Sequence, residues 1–161
     1  MRNAVMFFTL ILLAPSPALA GAPLGGAPCP ADGARYLIDG GEGFELRLEK
    51  AKEPMAWSDL DVFVSSPTHK LRFSLTASNG YSFNYAVLEE PATPVAADGE
   101  DNRPSYHLFP FDAHMAPASL PQGKDAAPAY IFMPDLGSHF WYGSEPREFV
   151  PIAMWKLQPC S

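Results

Sequence analysis

Between Pro91 and Pro134 the chain carries a proline every three to ten residues. Each ring removes a backbone N–H donor and clashes with the preceding helical turn, so no long helix survives that spacing. Elsewhere the pattern has period two. In "FELRLEK", Phe44, Leu46 and Leu48 share one face while Glu45, Arg47 and Glu49 share the other, and "KLRFSLT" repeats the alternation with Leu71, Phe73 and Leu75. That is the signature of strands buried on one side.

Further strands are expected at Leu60 to Val64, Tyr106 to Phe109, Tyr130 to Met133, Phe140 to Tyr142 and Phe149 to Leu157. About eight or nine short strands separated by turn residues predict an all-β fold, a single antiparallel β-sandwich or barrel. Only "AKEPMAWSDL" (51–60) has room for a helical turn, and the polar, acidic stretch from Glu90 to Pro104 reads as an exposed loop. "DGGEG" closes a hairpin between "RYLI" and "FELRL". In "KLRFSLTASNGYSFNYAVL", a loop of Ser78, Asn79 and Gly80 pairs Leu75 with Phe83, Phe73 with Tyr85 and Leu71 with Val87, with Gly80 at positive φ in a bulge. A turn at Asn79-Gly80 alone would put Phe83 and Tyr85 on the wrong face.

The first twenty residues read as a secretory signal peptide: Arg2, an apolar run from Ala4 to Ala14, Pro15 and Pro17, then Ala18 and Ala20 at the positions a signal peptidase reads. The run is about eleven residues, short of the roughly 20 needed to span a bilayer. Pro28 directly before Cys29 fits a lipid anchor poorly. The expected organisation is residues 1–20 as signal peptide, 21–34 as an N-terminal extended segment and 35–161 as one β domain, in the periplasm or secreted. The absence of an N-x-S/T sequon leans toward a bacterial periplasm.

Export changes how the two cysteines are read, because an oxidising compartment turns a thiol pair into a disulfide. A Cys29–Cys160 bridge would clasp the two ends of the domain. Losing Arg2 with the signal takes the formal charge from −7 to −8. The remaining basic residues are dispersed, which excludes nucleic acid and anionic lipid as expected partners.

"HLFPFDAHM", from His107 to Met115, is the most chemically suggestive run. Asp112 and His114 have the i, i+2 spacing that projects two side chains to one face, and a metal would take His107 or His139 as third ligand, with His69 the remaining imidazole. No established metal spacing such as H-E-x-x-H is present, so the preferred reading makes Phe109 and Phe111 core anchors flanking a proline kink and expects neither metal nor cofactor. The acids at Asp98, Glu100 and Asp101 lack the spacing of a calcium loop. "DLGSHFW" has no nucleophile elbow around its serine. The adjacent rings Phe140, Trp141 and Tyr142, together with Trp57, are candidate binding residues, since neighbouring rings on a strand face opposite sides. The expectation is a non-enzymatic binding or inhibitory module acting on a protein partner or an envelope polysaccharide. The alternative is a small periplasmic hydrolase, metal-assisted through His107, Asp112 and His114.

Overall fold

The computed structural model describes residues 29–78, 83–90 and 103–160. The expected signal peptide, Gly80 and most of the stretch from Glu90 to Pro104 expected as an exposed loop lie outside them.

Among the described residues the chain forms nine strands: β1 Arg35–Ile38, β2 Glu45–Lys50, β3 Leu60–Ser65, β4 Lys70–Ala77, β5 Asn84–Glu90, β6 Ser105–His107, β7 Phe109–Phe111, β8 Tyr130–Phe132 and β9 Trp155–Leu157. They make one antiparallel sheet in the order β6-β5-β4-β3-β2-β1-β9-β8-β7. The outermost strands, β6 and β7, are separated in sequence by Leu108 alone, so the chain itself links the two edges and the sheet is a nearly closed barrel. The core is the barrel interior, filled by Tyr36, Leu46, Leu48, Val62, Phe73, Leu75, Ile131 and Trp155 among others. The Tyr36 hydroxyl, buried and with its pKa pushed up by that burial, donates to the Pro128 carbonyl at 3.0 Å.

Cys29 and Cys160 are bonded, with Cα atoms 5.7 Å apart. Residues 29–34 belong to the packed domain: Ala31 and Ala34 are buried, and the Ala31 N–H donates to the Asp125 carbonyl at 2.8 Å. β1 and β2 pair as expected around the "DGGEG" turn, with Tyr36 opposite Leu46 and both buried. The β3–β4 turn, Ser66-Pro67-Thr68-His69, has the residues a type I turn favours, and the Ser66 hydroxyl oxygen accepts the His69 N–H at 2.8 Å.

The β4–β5 register differs from the expectation. Leu75 stands opposite Ala86, Phe73 opposite Leu88 and Thr76 opposite Tyr85, and the Ser78 N–H donates to the Phe83 carbonyl. "YAVL" is apolar on both faces, so its pattern does not set the parity; Ala86 and Leu88 enter the core, while Tyr85 and Val87 face outward and are half-buried. The same inversion occurs in β6 and β7. Tyr106, Leu108 and Pro110 point inward, and Phe109 and Phe111 lie half-buried outside rather than in the core.

One expected strand is replaced and another is shortened. Residues 136–143 form a helical segment, a single α-helical turn (Leu136–Ser138) widening into a π turn (His139–Gly143), so Phe140 to Tyr142 are not a strand. Of the stretch from Phe149 to Leu157, only Trp155–Leu157 pairs in the sheet. Pro151 has no N–H to give a ladder, and the Ala153 N–H turns back to its carbonyl at 3.1 Å. Residues 51–59 make bends and no helix.

Candidate binding surface

The segment from Leu136 to Ile152 covers the barrel mouth and alternates anchors with projections. Leu136, Phe140 and Val150 are buried. Phe140 meets Phe44 edge-on at 5.5 Å between ring centroids, and full burial of such a ring is worth about 1.5–3 kcal/mol. Between these anchors Trp141, Tyr142, Phe149 and Ile152 remain 43%, 81%, 73% and 77% exposed. On a helical turn successive residues differ by about 100°, so Phe140 can plug the core while its two neighbours point out.

Polar contacts hold the projecting part in place. The Glu148 N–H donates to the Phe140 carbonyl at 3.0 Å, and the Glu148 carboxylate lies 3.0 Å from His69 Nδ1. Burial by itself would raise the Glu148 pKa; hydrogen bonds from Ser66, His69 and Thr68, with the His69 charge, outweigh it and hold the carboxyl below its usual value. Pro151 packs against the β1–β2 turn, 3.9 Å from where a Cβ on Gly40 would sit. The Arg147 guanidinium lies 6.0 Å from the centre of the Trp141 ring, a cation–π distance.

Two further histidines are fixed beside this segment. His139 Nδ1 is 2.7 Å from the Tyr106 hydroxyl. Burial and then the nearby His69 lower the His139 pKa, while burial and then Asp135 raise that of Tyr106, so both shifts favour the uncharged forms of this pair. On the outer face, Asp135 Oδ2 accepts from both the main-chain N–H and the Nδ1 side of His107, at 3.0 and 2.6 Å. Although burial opposes it, these bonds and the His107 charge hold Asp135 below its usual value. A carboxylate on Nδ1 fixes the ring and leaves Nε2 for proton transfer or ligation.

The proposed metal-binding set is not drawn into one site. His107 is turned to Asp135 and His139 to Tyr106. Asp112 Oδ1 accepts the N–H groups of His114 and Ala116 at 2.8 and 2.9 Å, capping a tight turn whose Met115 has φ 64°. His114 is exposed. Among the described residues no three of His, Cys, Asp and Glu converge as metal ligands.

Of the aromatic candidates, Phe140 is a core residue and presents no surface. Trp57 lines a separate groove of about 360 Å³ with Ala77, Asn84, Phe109, Phe111 and Pro117, none of them charged. Phe149 and Ile152, expected in a strand, are exposed on the same segment as Trp141 and Tyr142; the signal that they stand out was Pro151 between them. Asp135 and Glu148, the partners of His107 and His69, lie 28 and 79 residues away in sequence, and no local pattern marks them.

No protein-family model, curated protein or solved structure matches the chain.

Proposed function

We propose that this protein is an exported binding or inhibitory module, periplasmic or secreted, which engages a protein partner through the tip formed by Trp141, Tyr142, Phe149 and Ile152. The observation that carries the reading is the exposure of these four large side chains, from 43% to 81%, on a segment pinned to the core on both sides. Large exposed apolar groups on a held backbone are what interfaces use: they bury area on contact while little conformational freedom remains to be lost. Trp, Tyr and Arg are the types enriched among hot spots, and Arg147 adds the third. The Cys29–Cys160 disulfide fits a compartment outside the cytoplasm, and no helix among the described residues is long and apolar enough to cross a membrane.

The test is an alanine triple variant, Tyr142→Ala with Phe149→Ala and Ile152→Ala, compared with wild type in affinity capture from extracellular and envelope extract. The expected outcome is loss of a specific captured protein at an unchanged melting midpoint. Capture of the same protein in equal yield by both would overturn the proposal.

A further inference from the structure

We infer that the partner engaged by this tip is a basic protein, which meets the apolar residues with a cleft rimmed by Lys or Arg. The inference rests on the reading of the tip as a protein-binding surface and adds the chemistry of its partner.

The argument is the charge around the tip. Pro151, next to Ile152, packs on the β1–β2 turn, where a Cβ on Gly41 would lie 3.4 Å from the proline ring. That turn carries Asp39 and Glu42, both exposed. Glu145, also exposed, stands between Tyr142 and Phe149 in the tip segment itself. Three carboxylates therefore accompany the apolar projections. Among the described cations near this end, Arg147 lies over the Trp141 ring, His69 is paired with Glu148, Arg103 is paired with Glu89, and Lys70 is exposed at the start of β4. Asp135 and Glu148 are two further carboxylates of this region, each paired with a histidine.

The local excess has the sign of the whole chain, whose formal charge is −7. Rim charges of one sign around an apolar centre act mainly on encounter: they steer an oppositely charged partner and repel one of like charge, while the desolvated centre sets how long the complex lasts. The two contributions therefore appear in different rate constants, and each can be removed without the other.

The experiment uses the disulfide-intact protein immobilised on a sensor surface, with the source cells' envelope and secreted proteins divided on a cation exchanger at pH 7 into retained and unretained pools. The captured protein is identified, purified and measured at low and high salt against three forms: wild type, Asp39→Asn/Glu42→Gln/Glu145→Gln, and Tyr142→Ala/Phe149→Ala/Ile152→Ala. All substituted positions are exposed, and thermal melts verify folding. The expected result is a partner from the retained pool, an association rate constant that falls with salt and drops about tenfold in the charge-neutralised form, and a faster dissociation in the apolar-to-alanine form. A partner from the unretained pool, or an association rate indifferent to both salt and neutralisation, overturns the basic-partner inference. In that case the tip reading still stands if the alanine form loses binding. If the alanine form binds as wild type does, or neither pool yields a partner, the reading of the tip falls with it.

Discussion

Two glycines at matching backbone angles separate conformational from steric cost. Gly33 and Gly43 have φ of 84° and 83°, in the left-handed region that side chains disfavour. A Cβ at Gly33 would meet nothing within 4 Å, whereas at Gly43 it would sit 2.9 Å from the Pro67 ring, which is itself held in the β3–β4 turn. Gly33→Ala is expected to lower stability by about 1–2 kcal/mol, the cost of the conformation alone. Gly43→Ala adds an overlap with a ring that cannot rotate away and should cost clearly more. Urea denaturation of both variants checks this, and equal losses would show that the turn relaxes. In the run from His107 to Met115 the Asp112 carboxylate accepts the N–H groups of His114 and Ala116, while His107 is turned to Asp135 and His114 is exposed.

At the scale of the element, the mouth-covering segment is tied down by groups that titrate. The His139 pKa is lowered from 6.5, so the folded state takes up a proton less readily than the unfolded chain and stability falls as pH drops below that value. Glu148 is lowered from 4.5, and its contribution is present above that pH and lost as pH falls through the folded value. Glu45 and Asp135 act in the same direction as Glu148. Asp61 opposes them: burial, only partly offset by Arg72, raises its pKa, so its protonation on acidification favours the folded state. Melting midpoints are therefore expected to decline in two stages, below about pH 6.5 and below about pH 4.5. Glu148→Gln should shrink the lower stage, and His139→Gln should flatten the upper one. A wild-type midpoint constant from pH 7 to pH 5 would refute the assignment to His139.

For the whole molecule, the ends are joined across 131 residues. Closing so long a loop restricts the unfolded chain by up to about 5 kcal/mol, and each kcal/mol moves the midpoint of a domain this size by roughly 2–4 °C. Paired Cys29→Ala and Cys160→Ala substitution should thus lower the melting midpoint by up to roughly 10–20 °C while leaving the barrel's circular dichroism spectrum unchanged. The barrel supports that second expectation, because β9 pairs with β1 and β8 independently of the bridge. A midpoint unchanged by the double substitution would mean that the unfolded chain is not restrained by the link.

The all-β class, the β1–β2 hairpin and the strands at β2, β3, β4 and β8 follow from local sequence, because in each the chemistry is unambiguous over a few residues, whereas the bridge followed from the chain's having two cysteines and an expected oxidising compartment. Alternation in "FELRLEK" sets apolar against charged side chains, so only one face can be buried. Where both faces are apolar, as in "YAVL" and around Phe109 and Phe111, either parity buries similar area and the closing of the barrel makes the choice. The tertiary structure alone also decided that "HFWYG" is a helical turn, since the core beneath the mouth accepts one ring, Phe140, and the backbone coils to deliver it. It decided the surface as well. Trp141 and Tyr142 were legible as candidates from their adjacency, but Phe149 and Ile152 join them only because Val150 is anchored between them and Pro151 stays out of the sheet. The pairs His107–Asp135 and His69–Glu148 join segments distant in sequence, and such contacts exist only after the strands between them have closed into one sheet.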